Sequence, residues 1–283
     1  MSRIDLHIHT TESDGKYPPG EIVARAARAG VRLMAICDHD TVNGIDSALQ
    51  AANKVTGLTL IPGVEVSTDV PAGEVHILGY FIDYRGTELS GILSDMRNSR
   101  IERARKMIEK LTHFGIRLDW PRVREIAGTG TVGRPHVAQA MLEKGYITSI
   151  KDAFVRYIGR GGPAYVEWEK LTPAMAVALI VRSHGLPVLA HPLTASDPEA
   201  LVAELVPAGL CGIEAFYNDN SSEQIDSALK LARRHNILTT GGSDYHGLDE
   251  NAETPIGGAP VPDWVGEKLF ALAKERNINF EQM

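Results

Sequence analysis

Histidines and carboxylates stand at the ends of separate short apolar runs in this chain, and that placement narrows the fold to a sheet whose strand ends share one mouth. LMAIC precedes Asp38-His39-Asp40, LTLIPGV precedes Glu65, VLA precedes His191, and ILTTGG precedes Ser243-Asp244-Tyr245-His246. Such runs, apolar without alternation, read as strands buried on both faces in a parallel sheet. Loops that follow parallel strands converge at one end, where α/β folds and barrels above all build their sites. His7 and His9 stand at i and i+2 near the N-terminus. A strand turns both to one face, where they can share one ion. Asp244 and His246 repeat that spacing. The pattern implies a metal-dependent hydrolase.

The spacing predicts strands over Arg3 to His9, Arg32 to Cys37, Leu58 to Ser67 and Glu74 to Ile82, with helices over Pro19 to Ala29 and Gly44 to Thr56. The alternation resumes with a helix from Thr172 to His184, a strand from Pro187 to Ala190 and a helix from Pro198 to Ala208. It continues with a strand from Gly212 to Ala215, a helix from Ser222 to His235 and a strand from Leu238 to Gly241. Repeated βα units call for a parallel sheet. Residues 88–166 lack the strand pattern and read as a helical subdomain inserted over the mouth of a barrel made by residues 1–87 and 167–283.

Composition matters mainly for what it excludes. A formal net charge of −7 argues against a protein that coats nucleic acid, because such binding depends on Lys and Arg neutralising phosphates. Cations in the pocket would still reverse the local sign, so a phosphorylated substrate stays open. No apolar run approaches the roughly 18 to 20 residues of a membrane span, and the chain enters its first strand near Arg3 without a signal-like segment; a cytoplasmic enzyme is expected. Cys37 and Cys211 lie in apolar, strand-like surroundings and read as buried reduced thiols. His113, His184 and His235, within or just after helical segments, read as structural.

In the segment from Ser90 to His113, helical periodicity gathers Leu93, Met96, Ala104, Met107, Ile108 and Leu111 on one stripe. Arg97 and Arg100 fall on that stripe, and Arg103 lies at its edge. A guanidinium on a packing face needs an anion or strong acceptors. Two readings are open: the arginines snorkel or pair with acids such as Glu102 or Asp95, or one or two reach a substrate phosphate. Gly133-Arg134-Pro135-His136 reads as a helix start, where free N–H groups and the helix dipole favour an anion beside Arg134 and His136.

Together, His7-x-His9 with Asp14, Asp38-His39-Asp40, Glu65, His76, Ala190-His191-Pro192 and Ser243-Asp244-x-His246 resemble, from end to end of the chain, the motif series of the PHP family, the polymerase and histidinol phosphatase superfamily. The resemblance implies a distorted (β/α)7, TIM-like barrel with two or three divalent metals at the strand ends, and phosphoester hydrolysis. The insert carrying Thr131-Val132-Gly133-Arg134-Pro135-His136 looks most like the nucleotide-directed branch. That branch removes the 3′-phosphate of nucleoside 3′,5′-bisphosphates and trims short RNA from a 5′ end.

On that resemblance His7, His9, Glu65 and Asp244 would hold one ion and Asp14, His39 and His246 a second. Glu65 with His76 and His191 would hold a third. His76 has a further reading, as a residue of a strand interior. Mixed imidazole and carboxylate donors suit Mn, Fe or Zn alike, and Mn²⁺ is the expected ion. The expected nucleophile is a hydroxide shared between cations, so no protein nucleophile is required. Asp40 is open between contacting substrate or passing a proton and orienting a ligand histidine. Arg103, with Arg100, Arg134 and His136, would bind substrate. The rival substrate is histidinol phosphate, and the rival class is a metal-bearing structural module without turnover.

Overall fold

The computed structural model describes residues 1–283 except 71–72, 129, 131, 168–170, 218–219, 250–251 and 279–283; Thr131 of the insert motif therefore lies outside the described residues. Seven strands form one sheet in chain order: β1 (Ile4–Ile8), β2 (Leu33–Ile36), β3 (Thr59–Val70), β4 (Gly73–Tyr80), β5 (Leu186–Leu189), β6 (Gly212–Tyr217) and β7 (Leu238–Gly242). The sheet curls until its ends meet. Ile8 bridges Tyr245 in parallel, His9 N–H donates to the Tyr245 carbonyl at 3.0 Å, and Asp244 N–H donates to that of His7 at 2.8 Å. Closure needs Gly242, where a Cβ would lie 2.5 Å from the His7 nitrogen.

The barrel-like α/β architecture is the one the sequence implies, but the wholly parallel sheet is not. β4 runs antiparallel to both β3 and β5. The short link from β3 leaves no room for the dozen or more residues of a parallel crossover. Reversal has a functional result: β4 begins at the end of the barrel where the parallel strands finish, so His76, inside the strand and opposite Ser67, still reaches the mouth.

Outside the strands lie α1 (Pro19–Arg28), α2 (Ile45–Ala52), α7 (Pro173–Arg182), α8 (Pro198–Leu205), α9 (Ser222–Arg234) and α10 (Asp263–Glu275). α1 opens with Pro19 in its first turn, where proline loses no hydrogen bond, and buries Ile22, Val23 and Ala26. α9 is capped by Ser221, whose hydroxyl accepts from Gln224 N–H. α10 lies beyond the last predicted element and buries Val265, Leu269 and Ala273, four apart on one face.

Between β4 and α7 the chain is helical: α3 (Thr87–Thr112), α4 (Trp120–Ala127), α5 (Arg134–Glu143), α6 (Ile150–Ala153) and a π-helix (Phe154–Ile158). α3 joins two cores. Leu89, Leu93 and Met96 pack with the barrel, while Met107, Ile108 and Leu111 pack with Val123, Val137 and Met141 in a separate cluster. Among the described residues no helix is long and apolar enough to cross a membrane.

Candidate metal centre

Strand ends deliver the candidate ligands. His7 and His9 come from the end of β1, His39 from beyond β2, Glu65 from β3, His76 from β4, His191 from beyond β5, and Asp244 and His246 from beyond β7; Asp14 arrives on the loop after β1. Asp40, His191 and Asp244 take positive φ values of 52°, 29° and 53°. Non-glycine residues are held in that region only where their surroundings over-determine them, commonly at functional sites.

Spacing between donor atoms is the first test of whether cations fit. Ligands about 2.1 Å from one ion stand about 3.0–3.4 Å from each other in octahedral or tetrahedral geometry. His7 Nε2 and His9 Nε2 are 3.2 Å apart, and each lies 3.3 Å from Glu65 Oε2. Asp244 Oδ1 is 3.4 Å from the first ring nitrogen and 3.0 Å from the second. Glu65 faces both ways. Its Oε2 is 3.1 Å from His39 Nδ1, and its Oε1 lies 2.9 Å from His76 Nδ1 and 3.4 Å from His191 Nε2.

A second group forms around Asp14, whose oxygens lie 3.7 Å from His9 Nδ1, 3.8 Å from His39 Nε2 and 3.4 Å from His246 Nε2. Donor atoms of His9, Asp14, His39 and His246 fall within 4.8 Å of one another, as do those of His7, His9 and Glu65, and those of His39, Glu65 and His76. Asp14 Oδ1 and Glu65 Oε2 are buried without a hydrogen-bond donor. Buried anions in that state call for cations. The donor set fits divalent metals.

Electrostatics agree with the spacing. Burial disfavours a charged His9, yet Asp244 and Glu65 raise its pKa to about 10. For His39 burial wins, only partly opposed by Glu65 and Asp14, and the value falls to about 4. Burial alone would lift the Glu65 carboxyl, but His39, His76 and His7 hold it well below the usual carboxylate range. The pocket therefore keeps its carboxylates ionised and draws positive charge to itself.

Supporting contacts orient the donors, and several escaped the sequence reading. Glu214 meets His7 Nδ1 at 3.1 Å and accepts from His191 N–H at 2.9 Å. Tyr217 donates to Asp244 Oδ2 at 2.9 Å. Glu253 accepts from the backbone N–H groups of His246, Gly247, Leu248 and Asp249. Asp38 accepts from Thr10 N–H and both the Thr10 and Ser13 hydroxyls. The available signal for Glu214 was a lone acid inside the apolar stretch GLCGIEAF.

A cleft of about 120 Å³ adjoins the centre, lined by Asp14, His39 and His76 from the barrel and by Arg100, Arg103 and Arg134 from the helical region, with Phe154 and Met107 among its apolar lining. Asp40 is turned from the histidines: Oδ1 accepts from Ser67 N–H at 2.8 Å, and Oδ2 pairs with Arg100 at 2.5 Å. Arg97 donates to the Asp40 carbonyl at 3.2 Å. Arg103 donates to the Val166 carbonyl at 2.8 Å, and Arg134 pairs with Glu74 at 2.5 Å. Burial first and Arg134 second lower Arg103 to about 10. His136 accepts the Gly133 N–H at 3.0 Å, so it caps α5.

Residues 5–146 match the PHP domain family model. The chain is 33% identical over 248 residues to a 5′-3′ exoribonuclease of Haemophilus influenzae, covering 86% of this chain and 90% of that protein. It is 32% identical over 255 residues to a 3′,5′-nucleoside bisphosphate phosphatase of Chromobacterium violaceum, covering 88% of this chain and 89% of the relative. Among solved structures, a protein of Bifidobacterium adolescentis described as a metal-dependent phosphoesterase superposes with a TM-score of 0.86 at 28% identity, over 99% of this chain and 98% of the other.

Proposed function

The chain belongs to the PHP family and is a phosphoric ester hydrolase, and from that premise we propose that it removes the 3′-phosphate of nucleoside 3′,5′-bisphosphates, leaving a nucleoside 5′-monophosphate. Trimming of short RNA from a 5′ end is the related activity at the same centre. The observation that carries this reading is a cleft lined both by metal donors, Asp14, His39 and His76, and by Arg100, Arg103 and Arg134. A substrate with one phosphate, such as histidinol phosphate, would leave one of these two groups unused. The relatives' names, a bisphosphate phosphatase and an exoribonuclease, support the same substrate class.

We assign His7, His9, Glu65 and Asp244 to one divalent cation and Asp14, His39 and His246 to a second, with Glu65, His76 and His191 at a third position. Bound there, the cations would supply an acidified water as nucleophile and neutralise charge on the phosphoryl oxygens, and Mn²⁺ is the metal we propose. The protein's own part is orientation. Glu65 ties the first and third positions together through its two oxygens, and burial of His7 and His9 keeps bulk water from screening the site. Asp40 and Ser67 hold Arg100 towards the cleft, where it would meet a substrate phosphate. Arg134 would bind the second phosphate by exchanging Glu74 for it, and Arg103 adds positive potential behind both.

Phosphate release with added Mn²⁺ should be compared on adenosine 3′,5′-bisphosphate, 3′-AMP, 5′-AMP and histidinol phosphate, with a chelator control. Chelator-sensitive turnover favouring the bisphosphate is expected. Preference for histidinol phosphate would overturn the substrate and leave the metal centre standing, and silence on all four with metal bound would move the assay to short RNA.

A further inference from the structure

Among the described residues, none of the candidate ligands lies on or just beyond β6, the one strand of the barrel without such a donor. It nevertheless reaches the centre twice, through Glu214 and Tyr217. Residues three apart on a regular strand face opposite sides of the sheet. Here they face the same side.

The cause is a bulge. Along the ladder with β7, Glu214 stands opposite Thr240 and Phe216 opposite Gly241, so Ala215 and Phe216 together face a single residue. Beyond that extra residue the faces are exchanged. Phe216 packs outward on Trp264 of α10, with ring centroids 5.8 Å apart, and Tyr217 turns inward, its ring 5.4 Å from that of His191. Bulges are uncommon between parallel strands, and this one depends on Gly241: a Cβ there would stand 2.5 Å from the Phe216 Cβ and closer still to its carbonyl oxygen.

We infer that the bulge in β6 is a positioning device for the metal centre, turning Glu214 and Tyr217 to one side so that Glu214 sets His7 and His191 while Tyr217 sets Asp244. Glu214 is wholly buried and uses both oxygens as acceptors, one for His7 Nδ1 and one for His191 N–H. A proton held on Nδ1 leaves the Nε2 lone pair of His7 directed at Glu65 and Asp244. The second oxygen anchors the backbone of His191 in its left-handed conformation. One carboxylate thus joins a donor on β1 to one following β5, strands that are not neighbours in the sheet. An amide cannot replace it. Gln at 214 has one acceptor, and whichever way it turns, its NH2 faces a donor or forces the His7 proton onto Nε2.

This inference rests on the metal reading proposed above, and the test separates the two. The parent chain, Glu214→Gln and Tyr217→Phe are stripped with chelator and titrated with Mn²⁺, following stoichiometry, Kd, the metal-dependent rise in Tm, and the Mn²⁺ EPR line shape. Glu214→Gln should raise Kd by about 10- to 100-fold, the range for loss of a supporting partner of a ligand histidine, with an altered line shape. Tyr217→Phe should raise it by about 2- to 10-fold, as expected for one lost hydrogen bond. A parent that binds no Mn²⁺ overturns the metal reading and this inference with it. A parent that binds, beside variants with unchanged Kd and line shape, overturns the inference alone. Should Glu214→Gln fail to fold, Tyr217→Phe decides: a raised Kd supports the device and an unchanged one overturns it.

Discussion

The barrel mouth and the helical cleft beside it handle charge in opposite ways. At the mouth, His7 and His9 are fully buried on a strand, and His7 is backed by Glu214, itself buried. Across the cleft, Arg100 and Arg134 are long side chains on helices, 17% and 16% exposed, and each is paired with an acid, Asp40 or Glu74. Strands and buried carboxylates fix the donor set, whereas the guanidinium ends can exchange one anion for another. The first arrangement suits resident cations and the second a substrate that comes and goes.

Removing the residue shared by two of the metal positions should hurt most. Glu65→Ala is expected to reduce kcat and bound metal by more than the roughly 100-fold upper range for a supporting partner, and metal analysis beside phosphate release checks it; full metal content in the variant would break the view of Glu65 as the bridge. Chelation should abolish turnover of the parent, and Mn²⁺ should restore it. Arg134→Ala should raise KM for a 3′,5′-bisphosphate by about 10- to 100-fold, the range for a hydrogen bond to a charged group, with little change for a single-phosphate ester. Equal losses on both substrates would remove the second-phosphate role.

The helical region has its own core, so Met141→Ala, away from the cleft lining, should cost about 2–5 kcal/mol in denaturant unfolding while sparing Mn²⁺ affinity. A joint loss of Mn²⁺ binding would mean that cleft and mouth are not separable. The smallest effect expected is from Glu74→Gln, which frees Arg134 from a partly exposed pair and should lower KM for the bisphosphate by no more than about fivefold.

Legibility in the sequence followed the range of the signal. The ends of β1, β2, β3, β5 and β7 were readable because unbroken apolar runs and the i, i+2 spacing of His7 with His9 are local. The direction of β4 was misread, since periodicity reports that a strand exists and not which way it runs; only the short link from β3 carried that information. α10 went unread, and so did Glu253, whose backbone contacts hold the His246 loop.

The amino-acid order by itself determined the kind of site: imidazoles and carboxylates placed where buried parallel strands end converge on a common mouth, and those residue types together suit cations. Which groups meet there was decided by the closed tertiary structure. Arg100 with Asp40, Arg134 with Glu74, and Glu214 with both His7 and His191 are far apart along the chain. The arginine pairs follow from how α3 and α5 lie against the barrel, and the Glu214 pairs from closure at Gly242 and the extra residue opposite Gly241, where the chain approaches too closely to admit a side chain; no local periodicity records such an approach.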